Sequence, residues 1–432
     1  MNEYDSDKIS DLMNTINFIK TEDVSDAECI IFNTCHIREK ATEKVYSDIG
    51  KIKKINRNKE KPIFVLAGCV AQAEGEEIFK RTKYVDIVVG PQSYHRLPAQ
   101  ITNFINKREN FIDTNFKLIE KFDTLDHLQI SRKPKISELI TIQEGCDKFC
   151  SFCVVPYTRG PEFSRSIHSI LNEIKKIADE GTKEVFLLGQ NVSAYKYIDG
   201  NKTYNLPSLI NEIAKFDQIK RIRFTTSHPN DMDEELIDAF RVHKKLMPQL
   251  HLPIQSGSNK ILKLMNRKHT KEYYLELITK FRKANPAIEF SSDFIIGYPG
   301  EEQEDFNETL EIIKEVNFVN SYSFIYSQRP GTPAVNKNQI PLEICKSRLM
   351  ELQNLLFNNQ LKKNELLVGK TTEILVENKT SQPGQFFGRN QHMFPAFFNS
   401  NHNKTGELLN IKIVSCNRNN LFGVLEKQGT FA

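Results

Sequence analysis

The chain has 432 residues with a formal net charge of +4, from 59 basic and 55 acidic residues, so its overall charge neither marks nor excludes a nucleic-acid-binding protein. Its length suits about two or three domains, its apolar runs are too short for a membrane span, and its polar start, MNEYDSDKIS, is not a secretory signal. Eight unevenly spaced cysteines argue against a secreted disulfide scaffold and favour a reducing compartment, the cytoplasm.

Residues 1–110 alternate between strand and helix patterns and predict an N-terminal parallel α/β domain. Three short, continuous apolar runs predict buried parallel strands, at 28–32, 63–67 and 85–89. Cys35 follows the first of these strands and Cys69 follows the second. Because the carboxyl ends of parallel strands meet at the ligand-binding edge of such a sheet, these two thiols are predicted to lie together and could share a metal.

Residues 111–137 are polar and predict an irregular linker. Residues 138–365 alternate again, and their six strand patterns predict a partial (β/α)6 barrel that ends in a long exit helix. The strands are expected at 139–143, 185–188, 222–226, 250–254, 290–296 and 322–326, and the helices at 231–240, 271–283, 303–316 and 342–365. Polar residues that follow these strands would gather at the mouth of the barrel.

Cys146, Cys150 and Cys153 follow the first barrel strand, separated by three and then two residues. Structural zinc requires four closed ligands, usually in two short pairs, and this run offers three. Three thiolates suit a four-iron cluster that keeps one iron open for a small molecule. A plain redox or zinc loop is the alternative for these cysteines.

The run at 140–160, ITIQEGCDKFCSFCVVPYTRG, resembles the radical S-adenosylmethionine (SAM) enzymes, in which the open iron binds SAM. The resemblance places Phe152 at the aromatic position that lies against adenine. Gly189, Gln190 and Asn191 follow the second strand, where the superfamily commonly recognises the SAM amino group, although such residues also form ordinary turns. Asp293 lies in an apolar strand, and is expected to face the barrel lumen or to be paired.

From residue 366 to residue 432, short strand patterns separated by Gly, Asn and Pro predict a small β-barrel, at 373–377, 411–414 and 423–426. The segment is rich in phenylalanine around Arg389: Phe386, Phe387, Phe394, Phe397 and Phe398. Aromatic rings beside arginine suit the stacking of unpaired bases. Alternatively, most of these rings fill the small barrel.

The order of the three segments resembles the methylthiotransferases, which combine an N-terminal α/β domain, a radical SAM barrel and a C-terminal RNA-binding, OB-like β-barrel, the TRAM domain. Four runs are similar to the tRNA 2-methylthio-N6-isopentenyladenosine synthases among them: 33–41 (NTCHIREKA), 150–160 (CSFCVVPYTRG), 291–297 (SSDFIIG) and 329–334 (RPGTPA). The resemblance covers nearly the whole chain.

The resemblance implies methylthiolation of carbon 2 of N6-isopentenyladenosine 37, beside the tRNA anticodon. One SAM would supply a 5′-deoxyadenosyl radical and another the methyl group. Two [4Fe–4S] clusters are implied, one on Cys146, Cys150 and Cys153 and an auxiliary, sulfur-delivering one that includes Cys35 and Cys69. The implied partners are the tRNA anticodon stem-loop and an electron donor such as a flavodoxin or ferredoxin; the sulfur donor is not identified.

Two other functions stay open at this point. The same chemistry could act on threonylcarbamoyladenosine in tRNA or on an aspartate of a ribosomal protein. A protein of another class, an RNA-binding iron–sulfur sensor without turnover, would also use such cysteines.

Some residues depart from the family pattern. The third auxiliary cysteine is expected directly before Met1, so the sequence is expected to lack its true beginning. Cys29 is interpreted as a small core residue and His36 as a solvated or capping residue. Pro161 stands where the family more often has arginine. The nearby Arg159 and Arg165 would bind either a SAM carboxylate or RNA phosphate, or local acids.

Overall fold

The structure is a computed structural model that describes residues 1–35, 39–116, 118–128 and 134–426. Two compact units divide the chain: the first comprises Met1–Lys133, Gln143–Arg165 and Ser327–Val335, and the second comprises Pro134–Ile142, Ser166–Tyr326 and Asn336–Ala432. By contact, the three-cysteine loop therefore belongs with the N-terminal segment. The predicted domain boundaries follow the sequence rather than contacts, and stay predictions.

The N-terminal segment is a four-stranded parallel sheet with helices on both faces. Its elements are α1 (Asn2–Asn14), β1 (Cys29–Thr34), α2 (Glu39–Ile55), β2 (Ile63–Gly68), α3 (Cys69–Glu74), α4 (Glu77–Arg81), β3 (Ile87–Val89), α5 (Leu97–Lys107), β4 (Phe111–Asp113) and α6 (Leu118–Asp126). The strand order is β1-β2-β3-β4, and each neighbouring pair is parallel. All six residues of β2 are buried, because Val65 faces one core and Phe64 the other.

Two elements of this unit differ from the sequence-based expectation. Helix α1 was not predicted, because its apolar contacts come from only a few residues, such as Ile9 and Leu12, set among polar ones. The stretch predicted as an irregular linker, 111–137, contains β4 and α6. Phe122 and Leu125 of α6 pack into the same core as α1, so that expectation was wrong for this part of the stretch.

The central segment alternates parallel strands with helices. Its elements are β5 (Ser137–Thr141), β6 (Gln143–Glu144), α7 (Val155–Arg159), β7 (Phe163–Ser164), α8 (Ile167–Asp179), β8 (Glu184–Leu188), β9 (Lys196–Asp199), β10 (Lys202–Asn205), α9 (Leu206–Ala214), β11 (Arg221–Thr225), α10 (Glu234–Val242), β12 (Gln249–His251), α11 (Asn259–Leu264), α12 (Lys271–Ala284), β13 (Glu289–Ser291), β14 (Asp293–Ile296), α13 (Gln303–Val316), β15 (Tyr322–Ile325) and α14 (Leu342–Glu365).

The parallel pairings of the second unit confirm the predicted partial barrel. Strands β5, β8 and β11 form one parallel sheet in the order β11-β8-β5. Strand β12 pairs with β13, and β14 pairs with β15, again in parallel. The single strand expected over 290–296 is interrupted at Ser292, so its two halves pair with different neighbours.

The long exit helix α14 has the predicted bounds, Leu342–Glu365. It packs against the rest of its unit through Leu352 and Leu356, and through Arg348, whose Nη1 donates to Glu301 Oε1 at 2.8 Å. Among the helices in the described ranges, none has the length and apolar character that a membrane span requires.

The C-terminal segment closes into the predicted small β-barrel. Its strands are β16 (Thr371–Lys379), β17 (Gln385–Asn390), β18 (Pro395–Asn399), β19 (Leu408–Cys416) and β20 (Leu421–Leu425), in the order β16-β17-β18-β20-β19. Strands β17 and β18 were not predicted. They carry the phenylalanine-rich stretch, and Phe386, Phe394 and Phe398 fill the barrel interior.

Two buried arginines of β11 fasten this barrel within the second unit. Arg221 donates to the carbonyl oxygens of Arg389 (2.7 Å) and Glu373 (3.2 Å). Arg223 donates through Nη1 and Nη2 to backbone carbonyls at the end of β17, each at 2.9 Å, and through Nε to Glu184 Oε2 at 2.8 Å. Since β11 belongs to the partial barrel, the small barrel has a fixed orientation on it.

Candidate functional site

The three cysteines of the spaced motif lie on one loop, between β6 and α7. Cys146 and Cys153 are half-buried and Cys150 is buried. The loop begins with Gly145, whose φ is +75° and whose missing Cβ would meet the Pro161 carbonyl oxygen at 1.8 Å. Only glycine permits this approach, which brings the two ends of the loop together. The residue that departs from the family pattern, Pro161, contributes its backbone here.

The donor set of this loop fits a cluster held by three thiolates. All three cysteines are free thiols. Burial is the main cause that raises the pKa of Cys146 to about 11, and the charges of Glu162 and Cys150 add to it. A metal-free Cys146 is therefore protonated at neutral pH, and it must lose its proton to bind iron. In the described ranges no three His, Cys, Asp or Glu side chains are already gathered as a metal-binding group, so the fit lies in the kind and number of donors.

Cys35 and Cys69 directly follow the carboxyl ends of two neighbouring strands of the N-terminal sheet, where the sequence predicted them. Thr34 at the end of β1 pairs with Gly68 at the end of β2, and each cysteine is the first residue after its strand. Gly68 has a φ of +92°, and a Cβ there would lie 2.3 Å from the Thr34 carbonyl oxygen. The two thiols fit two ligands of one metal site by placement, and their role as ligands stays a prediction.

Of the two other candidate residues near this edge, the structure describes Cys29. Cys29 lies in β1 against the hydrophobic core, and burial raises the pKa of its thiol to about 12, which agrees with a core role. His36 lies outside the described residues.

The arginines after the cysteine loop pair with local acids. Arg159 is buried and donates through Nη2 to Asp5 Oδ2 at 2.7 Å, and its Nη1 lies 3.5 Å from Glu144 Oε1. Arg165 donates to Asp126 Oδ1 at 2.7 Å. Burial alone would lower the pKa of Arg159, but Asp5, Cys69 and Glu144 raise it above its ordinary value. Of the two alternatives left by the sequence, the structure supports the local acids.

The predicted SAM-binding residues fall in both units. Phe152 is half-buried in the first unit, whereas Gly189, Gln190 and Asn191 belong to the second. Asn191 is buried, its amide donates to Asp231 Oδ2 at 2.7 Å, and its carbonyl oxygen accepts from a nearby serine at 2.9 Å. The Asn191 side chain therefore shapes the turn after β8. The SAM contacts of these residues stay predictions.

Asp293 is paired, which is one of the two arrangements predicted from its place in an apolar strand. Its Oδ2 lies 3.5 Å from His251 Nε2, and His251 Nδ1 lies 2.9 Å from Ser291 Oγ. His251 and Ser291 line a cavity of about 540 Å³ in the second unit, together with Arg389 and Arg418 of the small barrel. His251 was not predicted as a site residue, although a histidine within a predicted apolar barrel strand is a visible signal.

Three phenylalanines form a ladder on the outer face of the small barrel: Phe387, Phe397 and Phe422. Phe387 pairs with Phe397 across β17 and β18, and Phe397 pairs with Phe422 across β18 and β20. Their ring centroids are 5.3 and 5.9 Å apart, and all three rings are half-buried. The Arg389 guanidinium lies 5.0 Å from the Phe387 ring. Such a face can stack unpaired bases. Phe422 was not predicted, because it lies outside the phenylalanine-rich stretch around Arg389 and joins it only through strand pairing.

Three family models match the chain in order. Residues 1–90 match the Uncharacterized protein family UPF0004, residues 140–313 match the Radical SAM superfamily, and residues 365–425 match the TRAM domain. These ranges contain, respectively, the sheet-edge thiols, the three-cysteine loop and the aromatic ladder.

The chain is similar over nearly its full length to curated bacterial proteins of one name. The tRNA-2-methylthio-N(6)-dimethylallyladenosine synthase of Pelagibacter ubique (strain HTCC1062) is 53% identical over 425 residues, which cover 98% of this chain and 95% of that protein. The synthase of the same name from Orientia tsutsugamushi (strain Boryong) is 49% identical, over 98% of this chain and 96% of that protein. That of Ehrlichia chaffeensis (strain ATCC CRL-10679 / Arkansas) is 47% identical over 98% and 97%.

Solved structures resemble the fold at low sequence identity. The radical S-adenosylmethionine methyltransferase TsrM from Kitasatospora setae is 13% identical, with a TM-score of 0.57 over 77% of this chain and 72% of that one. A second structure of TsrM, with cobalamin and a [4Fe–4S] cluster bound, has a TM-score of 0.55 over 89% and 77%. At this identity the likeness shows a shared fold.

Proposed function

Since the chain belongs to the family of tRNA-2-methylthio-N(6)-dimethylallyladenosine synthases, we propose that it attaches a methylthio group to carbon 2 of N6-isopentenyladenosine 37 in tRNA. The observation that carries the proposal is the 53% sequence identity to the Pelagibacter ubique synthase over 98% of this chain. The part of this chain that matches the Radical SAM superfamily contains the three-cysteine loop. The carbon–hydrogen bond at that position resists acids and bases, so the reaction needs radical chemistry.

The cysteines would divide between two [4Fe–4S] clusters. Cys146, Cys150 and Cys153 would hold the cluster that binds SAM, and Cys35 and Cys69 would contribute ligands to the auxiliary one. A bound cluster with an open iron supplies one-electron chemistry toward SAM. The loop contributes three thiols on a backbone whose two ends are held together, and the sheet edge contributes two thiols that directly follow adjacent strands. An external electron donor of the flavodoxin or ferredoxin class would complete the system.

The small barrel would hold the RNA. An anticodon-loop base is unpaired, so it can be splayed out and stacked on an aromatic side chain. The ladder of Phe387, Phe397 and Phe422 offers three adjacent rings with Arg389 beside them. Stacking on such rings is worth about 1–3 kcal/mol per base.

Nucleoside mass spectrometry tests the substrate. A strain that lacks the gene should contain N6-isopentenyladenosine without its 2-methylthio derivative, and the wild-type protein should restore that derivative. Cys150→Ala should not restore it, whereas Cys416→Ala, a thiol in the small barrel, should do so. Normal levels of the derivative in the deletion strain would refute the proposal, and loss of the methylthio form of threonylcarbamoyladenosine would identify the alternative tRNA substrate.

Anaerobic iron counting tests the two clusters. The intact enzyme should bind about eight irons per chain, and simultaneous replacement of Cys146, Cys150 and Cys153 by alanine should leave about four. An intact enzyme that never exceeds about four irons would contradict the two-cluster mechanism. Production of 5′-deoxyadenosine from SAM after reduction separates the enzyme from an iron–sulfur sensor without turnover.

Matched substitutions test the RNA-binding face. Phe387→Leu with Phe397→Leu keeps apolar volume on the ladder but removes two aromatic faces, and should weaken binding of an anticodon stem-loop by roughly tenfold or more. Phe398→Leu makes the same change inside the barrel, so it should lower stability and leave the affinity nearly unchanged. Equal affinities in the ladder variant and the wild type would show that the RNA binds elsewhere.

A further inference from the structure

Two charged side chains flank the three-cysteine loop, and both are buried. Glu144 lies two residues before Cys146, and Arg159 is the last residue of α7, six residues after Cys153. The Cys146 N–H donates to the Gly160 carbonyl oxygen at 3.1 Å, and β6 pairs with β7. The contacts that Glu144 and Arg159 make therefore constrain both ends of the loop.

These two residues join a buried set of alternating charges. Lys121 Nζ lies 2.6 Å from Glu144 Oε1 and 3.9 Å from Asp5 Oδ1. Arg159 Nη2 lies 2.7 Å from Asp5 Oδ2, and its Nη1 lies 3.5 Å from Glu144 Oε1. None of the four side chains is more than 3% exposed. We name Asp5, Lys121, Glu144 and Arg159 the ionic clasp; its formal charges sum to zero.

The ionic clasp also lies near Cys69, one of the two sheet-edge thiols. Asp5 lies on α1, and Arg159 lies at the end of α7, which packs against α3, the helix that begins at Cys69. The charge of Cys69 contributes to the raised pKa of Arg159, so the thiol lies within electrostatic range of the guanidinium. Gln92 adds a further tie, since its amide donates to Glu144 and to the Arg159 carbonyl oxygen.

Buried ion pairs contribute little net stability compared with well-packed apolar side chains, because desolvation offsets their attraction. In some proteins such groups instead fix the relative positions of the segments that carry them. The positions that the ionic clasp defines are those of the cysteine loop and of the sheet edge that carries Cys69.

We propose that Glu144 and Arg159 are positioning residues, which act through the ionic clasp to hold the three-cysteine loop at a fixed place relative to Cys69. The inference rests on the proposed function, because its consequence is a fixed separation between the two iron–sulfur clusters. Productive chemistry requires both to face the same substrate atom, so a change in their separation should uncouple SAM cleavage from sulfur insertion.

The test compares Arg159→Met and Glu144→Gln with the wild type, all anaerobically reconstituted. Each variant should keep its iron content and its SAM cleavage, but should release severalfold more 5′-deoxyadenosine per methylthiolated nucleoside. Electron paramagnetic resonance of the reduced protein should show an altered magnetic interaction between the two clusters. Hydrogen exchange of the loop backbone, including the Cys146 N–H, should be faster. Arg348→Met, which breaks a buried pair with Glu301 in the other unit, is the matched control and should show none of these changes.

Three outcomes would overturn the proposal. The first is wild-type coupling and magnetic interaction in both variants. The second is loss of iron from both variants, which would make the ionic clasp an element of folding. The third is the same uncoupling in Arg348→Met. If the wild type itself makes no methylthiolated nucleoside while the variants still change the magnetic interaction, the proposed function fails and the positioning role stands.

Discussion

Replacing Arg223 with methionine should loosen the attachment of the small barrel to β11. The Arg223 side chain is 1% exposed and that of Glu184 is 2% exposed, and the pair is joined at 2.8 Å. The substitution removes this charge-assisted bond and two bonds at 2.9 Å to backbone carbonyls at the end of β17. Because it leaves the Glu184 carboxylate buried without its cation, the expected cost is about 3–5 kcal/mol.

Urea unfolding followed by circular dichroism measures this cost, and hydrogen exchange locates it. The variant should unfold at lower urea, and backbone amides of β17 and β18 should exchange faster. Arg223→Met combined with Glu184→Gln removes both charges, so the double variant should lose less stability than the sum of the single changes, by about 0.5–3 kcal/mol.

An exposed arginine provides the control for Arg223. Arg241 pairs with Asp238 on α10 at 2.9 Å, with both side chains more than half exposed, so Arg241→Met should change stability by less than about 0.5 kcal/mol. A loss below about 1 kcal/mol in Arg223→Met, or faster exchange confined to β11, would refute the reasoning that this arginine fastens the barrel.

Three further changes have defined outcomes. Gly68→Ala should destabilise the protein by about 1–3 kcal/mol or more in urea unfolding, because the new Cβ would meet the Thr34 carbonyl oxygen. The control is Gly50→Ala, in open space on α2, which should stabilise the protein by about 0.5–1 kcal/mol. Equal effects of the two substitutions would contradict the strand-end geometry. Burial lowers the pKa of His269 to about 3, and both ring nitrogens lack hydrogen-bond partners among the described residues. As the pH falls, the unfolded chain therefore takes up a proton before the folded protein does, and the free energy of unfolding should fall by about 1.4 kcal/mol per pH unit below about 6.5. His269→Asn should flatten this slope in unfolding titrations, and an unchanged slope would assign it to other groups. Cys29→Ala should leave the iron content unchanged, and a loss of iron would make Cys29 a ligand.

Much of the fold followed from local sequence patterns. Continuous apolar runs placed β2 and β3 because strands covered on both faces need no alternation. Helices α13 and α14 have the predicted bounds, since each begins and ends at a clear change of pattern. Helix α1 and strands β17 and β18 escaped prediction. Their polar or glycine-containing stretches become ordered through contacts with distant parts of the chain.

The candidate site divides in the same way. The cysteine spacing is local and was visible in the sequence, and the strand-end position of Cys35 and Cys69 followed from the parallel sheet. The ionic clasp was not visible, because Arg159 finds Asp5 across 154 residues and no local pattern encodes that pairing. Arg159 and Arg165 were therefore visible in the sequence as candidates, but their partners were not, because those partners lie far away along the chain.

The attachment of the small barrel by Arg221 and Arg223 has a consequence for the aromatic ladder that the barrel carries. The barrel cannot turn on β11 without breaking these buried arginine bonds, so bases stacked on the ladder would keep one orientation relative to that strand.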